Sequence, residues 1–264
     1  MNKEKKEEMI LMNFSGIYKE EEFWKKREVS WIEAQDIPST NCYCDAEAFE
    51  EITRRIEALP VQAVHFIDSG NYHYMTRLWI EKIKHPFQIL VFDNHTDMQP
   101  PAFGGLLSCG GWIAASLDEV ETLRHVILIG PDEEAYSQTE ERYREKVTFL
   151  SREKLRMMTQ EQIKEFLGNA LDKEAFPLYI SIDKDILCQE DARTTWSQGD
   201  MHLNTMLSCV QMILDGVKED RIRLEGVDIC GEADSEILHD NTQNEKANEK
   251  LAELFYENSV FKQI

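Results

Sequence analysis

Two short runs constrain this chain most: Val91-Phe92-Asp93-Asn94-His95-Thr96-Asp97 and Tyr179-Ile180-Ser181-Ile182-Asp183-Lys184-Asp185. Each is an apolar stretch of strand length that stops abruptly in alternating metal-ligand side chains. Carboxylates gathered in one place repel, and they cannot all stay ionised unless an opposite charge joins them. A pair of bound divalent cations accounts for both runs at once. Where strand geometry persists, alternate residues face one way, so Asp93, His95 and Asp97 can converge on one point and Asp183 with Asp185 can repeat the device. Carboxylates with an imidazole suit Mn²⁺ or a similar divalent ion, whereas thiolate-rich sets suit zinc. Five ligands are too many for one open catalytic ion. They suit two ions sharing carboxylates, roughly 3.5–4 Å apart, which generate hydroxide from water at neutral pH.

The segments around these runs alternate between strand and helix periods. Apolar runs predict strands over 61–67, 87–92, 125–129, 146–150, 177–182 and 222–229. Helical spacing predicts helices over 72–84, 159–171, 204–216 and 245–261, with Thr159 and Gln162 placed as a capping box. The strands lack clean polar alternation, so both their faces are expected to be covered. That pattern predicts an α/β fold, a three-layer α-β-α arrangement around a mostly parallel sheet. In such sheets sites form beyond the carboxyl ends of strands. Both acidic runs lie at such ends, as does Asp68-Ser69-Gly70-Asn71-Tyr72-His73. With 264 residues, 42% of them hydrophobic, and no linker or repeat, the expectation is one domain over residues 1–264.

Composition narrows the partners. Fifty acidic residues against 29 Lys and Arg give a formal net charge of -21, which argues against nucleic acid, whose phosphates require neutralising. Much of this excess is solvating surface, and some can bind cations or attract a cationic substrate. No apolar run is long enough to span a bilayer, and the charged stretch 1–8 carries no apolar signal core. The six cysteines, Cys42, Cys44, Cys109, Cys188, Cys209 and Cys230, form no Cys-x-x-Cys and read as reduced thiols of a cytoplasmic protein.

The two acidic runs resemble the arginase–agmatinase–formiminoglutamase (ureohydrolase) family, which carries an Asp-x-His-x-Asp run after one strand and a Ser-x-Asp-x-Asp run after a later one. Asp93-Asn94-His95-Thr96-Asp97 and Ser181-Ile182-Asp183-Lys184-Asp185 match them. The family's first metal ligand is a histidine at the start of an upstream helix, a place that His73 takes here, although the usual Gly-Gly-Asp-His wording is absent. The resemblance implies an arginase-like fold and two Mn²⁺ ions, with other divalent ions as alternatives. Asp93 and Asp183 would bridge the ions, His73 and Asp97 would complete one, and His95 and Asp185 the other. It also implies a small-molecule guanidino or amidino substrate and a homo-oligomer.

The chain departs from that family in two places. The loop that should hold a proton-shuttling histidine, Phe103-Gly104-Gly105-Leu106-Leu107-Ser108-Cys109-Gly110-Gly111-Trp112, holds none. Ser108 or Cys109 falls near its place, and His202 or His239 could substitute from other loops. The family's substrate-pairing glutamate is matched by Glu232, with Asp228 and Glu225 as neighbouring candidates. The resemblance thus implies a hydrolase of a guanidino or amidino C–N bond, its nucleophile a hydroxide shared by the metals, with Asp97 and Glu232 as catalytic residues. Two alternatives stand beside it: a differently specific hydrolase on the same scaffold, and a non-catalytic metal-binding protein.

Overall fold

The computed structural model describes residues 9–100, 105–173, 175–233, 240–258 and 261. Ten strands lie among them: β1 Met9–Asn13, β2 Val29–Glu33, β3 Tyr43–Cys44, β4 Val64–Phe66, β5 Phe87–Phe92, β6 Leu107–Ser108, β7 Leu123–Ile129, β8 Val147–Leu150, β9 Leu178–Asp183 and β10 Leu224–Cys230. Eight form one sheet in the order β2-β1-β4-β10-β9-β5-β7-β8, and every pairing in it is parallel. The short β3 and β6 pair separately and antiparallel.

Helices cover both faces of the sheet. They are α1 Ala46–Ile56, α2 Met75–Ile80, α3 Trp112–Glu119, α4 Glu133–Ser137, α5 Glu141–Arg144, α6 Arg152–Leu155, α7 Gln160–Asp172, α8 Leu203–Lys218 and α9 Thr242–Glu257. Alternation along each strand divides the core in two. Leu90, Phe92, Ile180, Ile182, Val227 and Ile229 pack with α7, α8 and α9. Ile89, Val91 and Tyr179 face the other way, onto α1, α2 and α3. Both faces are apolar because both are buried, which is the three-layer α-β-α arrangement that the sequence predicts.

Differences from the predicted elements have local causes. The helix expected over 72–84 is a 3₁₀ turn at Gly70–Tyr72 followed by α2, because the Ser69 hydroxyl accepts from Asn71 N and starts a tight turn first. The capping box of Thr159 and Gln162 is present at the start of α7. The edge strand β2, its neighbour β1, and helices α1 and α3 lie outside the predicted elements. β1 is five buried residues beside a highly charged stretch, too short a run to register against it. Among the described residues no helix is long and apolar enough to cross a membrane.

Candidate metal centre

The centre lies beyond the carboxyl ends of four adjacent strands, β4, β10, β9 and β5. β5 stops at Phe92 and delivers Asp93; β9 ends in Asp183, paired with Cys230 of β10. His73 arrives from the 3₁₀ turn after β4. Asp97 turns back through a left-handed backbone (φ 47°). Its carbonyl accepts from Ile113 N, at 2.9 Å, so the first turn of α3 pins it in place.

The six residues expected as ligands come together. His73 Nδ1 lies 3.2 Å from Asp93 Oδ2, 3.1 Å from Asp97 Oδ2 and 3.5 Å from Asp183 Oδ2. His95 Nδ1 lies 2.7 Å from Asp185 Oδ2 and 3.5 Å from Asp93 Oδ1. Two potential ligand sets result, His73–Asp93–Asp97 and Asp93–His95–Asp185, with Asp93 in both. Asp183 joins His73 and Cys230 in a third, its Oδ2 accepting from the Cys230 thiol at 3.2 Å. All but His95 are buried.

Each imidazole is oriented from behind. Ser181 Oγ donates to Asp228 Oδ1 at 2.6 Å, so its lone pair accepts from His73 Nε2–H at 2.9 Å. That relay leaves Nδ1 as the ring's lone pair, aimed at three carboxylates. Asp93 Oδ2, buried beside it, accepts no hydrogen bond. Lone pairs facing lone pairs in a buried place are costly unless a cation sits between them. His95 is held alike, with Nε2 2.9 Å from Ser197 Oγ. Asp97 Oδ2 accepts from the Trp112 indole N–H at 2.6 Å. The donor set, oxygens with imidazole nitrogen, fits two hard or borderline divalent ions.

Electrostatics point the same way. Burial and the Asp93 charge push the Asp97 carboxyl up to about 7. Burial and neighbouring carboxylates also raise Asp183 and Asp185. Burial works against a charged His95 ring, yet Asp185 and Asp93 hold it up at about 12. The cluster thus concentrates buried negative charge that protons or a bound cation would offset.

Glu232 is a correction to the expected substrate pairing. Its carboxylate is fully buried and forms an ion pair with the equally buried Lys184. Asn244 and Asn248 Nδ2 donate to it at 2.9 and 2.7 Å. Four polar side chains, from just after β9, just after β10 and from α9, saturate one another, and Glu232 does not line the pocket. Asp228 supports Ser181, and Glu225 pairs with His85 and Arg223. His202 is exposed and touches Asp191 and Cys188 away from the pocket; His239 lies outside the described residues.

Glu21 completes the Glu232 cluster and makes stability depend on pH. Burial, then the Glu232 charge, raises its carboxyl from 4.5 to about 9. Between those values the folded chain keeps a proton that the unfolded chain loses, so stability falls as pH rises, by about 1.4 kcal/mol per pH unit from this group. Glu21→Gln supplies a permanent donor to Glu232. Urea midpoints measured across that window should decline less steeply in the variant than in the parent; parallel slopes would show that Glu21 ionises freely.

The six residues floor a pocket of about 220 Å³ whose walls include Tyr43, Gln99, Ser108 and Trp196. Tyr43 and Trp196 are among the large apolar side chains left exposed. The Trp196 indole donates to Asn71 Oδ1 at 2.8 Å, which fixes it over the rim. Among the described residues, no histidine besides His73 and His95 lines this pocket.

The arginase family model matches residues 13–233. The chain belongs to the arginase family. A curated relative, an uncharacterized protein of Thermotoga maritima, is 29% identical over 255 residues, covering 94% of this chain and 89% of its own length. Three solved structures share the arginase fold. Formimidoylglutamase from Bacillus subtilis superposes with a TM-score of 0.68 at 18% identity, over 98% of this chain and 89% of that one. Arginase from Bacillus caldovelox gives 0.68 at 16%, over 98% and 99%. Proclavaminate amidino hydrolase from Streptomyces clavuligerus gives 0.67 at 13%, over 98% and 92%.

Sequence reasoning missed the supports of this arginase-family site. Nothing in the sequence marks Trp112 as a partner of Asp97, but its indole N–H holds that carboxylate. Trp112→Phe keeps the packing and deletes that donor. Losing such an outer-shell partner should cost about 10–100-fold in metal affinity, measured by competition with a fluorescent chelator; an unchanged affinity would make Trp112 packing alone.

Proposed function

We propose that this chain is a manganese-dependent hydrolase of a guanidino or amidino C–N bond. The observation that carries this reading is the position of Asp93, shared by two ligand sets on the floor of a small pocket. His73 and Asp97 would hold one ion, His95 and Asp185 the other, with Asp93 and Asp183 between them. Two such ions would supply Lewis acidity and water activated at neutral pH. Asp97, held by Trp112, is the proposed acceptor of the proton that the attacking water gives up.

The chain's other residues would bind and orient. The acidic floor favours a cationic group, and the rims of Tyr43 and Trp196 offer faces on which a planar guanidinium or amidinium can stack. Glu232 has no part in this. A second reading, a metal-binding protein without turnover, draws on the absence of a third imidazole from the pocket among the described residues, since a positioned acid typically contributes about 10²–10⁴ in rate.

Protein reconstituted with manganese should carry about two ions per chain by elemental analysis. It should release urea, ammonia or a simple amide from at least one member of a guanidino and amidino panel. Chelation should abolish release, and manganese should restore it. Two ions with no turnover would favour the second reading; no ions after reconstitution would remove both.

A further inference from the structure

Two thiols in the pocket wall stand opposite each other. β3 and β6 pair antiparallel with Tyr43 facing Ser108 and Cys44 facing Leu107. Just past the end of this ladder, Cys109, the first residue of the 3₁₀ turn Cys109–Gly111, donates its N–H to the Cys42 carbonyl at 2.9 Å, which keeps the two residues opposed. Directly opposed residues of an antiparallel pair have Cα atoms about 4.5–5.5 Å apart, inside the usual disulfide range of about 4.4–6.8 Å. Both residues line the pocket with the candidate metal ligands, and both are partly exposed.

We propose that Cys42 and Cys109 form a redox-active dithiol whose closure to a disulfide reshapes the metal pocket. The oxidant is hydrogen peroxide. The Cys42 thiolate attacks one peroxide oxygen, forming an S–O bond as the O–O bond breaks; the expelled hydroxide takes the proton that Cys42 lost on ionising and leaves as the first water. The Cys109 sulfur then attacks Cys42 Sγ, forming the S–S bond and expelling hydroxide, which takes the Cys109 proton and departs as the second water. The two sulfurs lose two electrons and the peroxide gains them. A dithiol reductant reverses the change by exchange.

Several features favour this pair over the other cysteines. The hydrogen bond from Cys109 draws the Cys42 thiol down to about 7, which supplies thiolate at neutral pH. The same contact, with burial, pushes Cys109 upward and makes it the resolving partner. Cys44, Cys209 and Cys230 are buried. Burial and the neighbouring Asp191 push Cys188 up to about 11. Cys42 also holds a left-handed backbone (φ 62°), uncommon for a residue with a side chain.

The effect on turnover rests on the hydrolase reading; bond formation does not. The full chain, loaded with manganese, is treated with equimolar hydrogen peroxide and then alkylated and digested. The expected result is a linked peptide pair containing Cys42 and Cys109, the loss of two titratable thiols, and recovery of both with dithiothreitol. Cys42→Ser and Cys109→Ser should each abolish the crosslink, and Cys188→Ser should leave it intact. Where a substrate has been found, the crosslinked form should show kcat/KM lowered by about 10–100-fold, the scale that a small displacement at a site produces. Both thiols remaining alkylatable, or over-oxidation at Cys42 without a crosslink, would overturn the proposal. A crosslink that leaves kcat/KM unchanged would overturn the reshaping of the pocket.

Discussion

Asp93→Ala should empty both halves of the metal centre. Asp93 is the one residue whose oxygens face His73 on one side and His95 on the other, at 3.2 and 3.5 Å. Losing a ligand of one ion alone would leave the other set whole, whereas losing Asp93 takes a ligand from both. Elemental analysis after manganese reconstitution should fall from about two ions per chain toward none, and turnover by more than the ~100-fold typical of a lost supporting group. Thermal denaturation gives a readout free of activity. A ligand at a hundred times its dissociation constant stabilises the folded state by about 2.7 kcal/mol, so manganese should raise the Tm of the parent and not of the variant. Two ions retained by Asp93→Ala would end the bridging assignment.

Lys184→Met should produce the largest loss of stability. Lys184 sits inside the second acidic run, yet its side chain points away from the pocket and is fully buried. It pairs with Glu232, and its Nζ donates to Asn248 Oδ1 at 2.8 Å. Methionine keeps the volume and removes the charge. Glu232 is then an uncompensated buried carboxylate, and breaking such a pair costs about 3–5 kcal/mol. Urea denaturation measures the loss. Lys184→Met with Glu232→Gln should recover part of it, because no charge is left unpaired, and that double variant reports even if the single one fails to fold. A loss below about 1 kcal/mol would mean that the pair behaves as a solvated one.

How much of this was legible in the sequence follows from the range of each interaction. Asp93, His95, Asp97, Asp183 and Asp185 were legible because ligand side chains crowd directly after an apolar run, which is a local pattern; strand alternation does not bring them together, since β5 ends at Phe92, Asp97 is left-handed and Asp185 lies in a 3₁₀ turn. The segment that holds His73 was legible as lying beyond a strand's carboxyl end, but its role as a ligand required the family resemblance. Glu232 was assigned a substrate because its partner Lys184 lies 48 positions away, and no local pattern reveals such a pairing. Ser181 and Asp228, 47 positions apart, form the relay behind His73 for the same reason. An aspartate inside the apolar run Val227-Asp228-Ile229 was a usable signal, since a buried lone carboxylate needs a donor. The layered fold was legible from unbroken apolar strands; β1 was not, because its five residues show no alternation to read.

The place of β10 has a consequence for biosynthesis. The last strand in chain order among the described residues inserts between β4 and β9, in the middle of the sheet. A nascent chain that ends before residue 224 would hold β4 and β9 with unpaired inner edges, open to wrong partners. β5 and β9 are already neighbours without it, so the His95 half of the centre can assemble first. The His73 half needs the gap between β4 and β9 to be filled. The two halves of the candidate metal centre would therefore mature at different times, the His95 half before the His73 half.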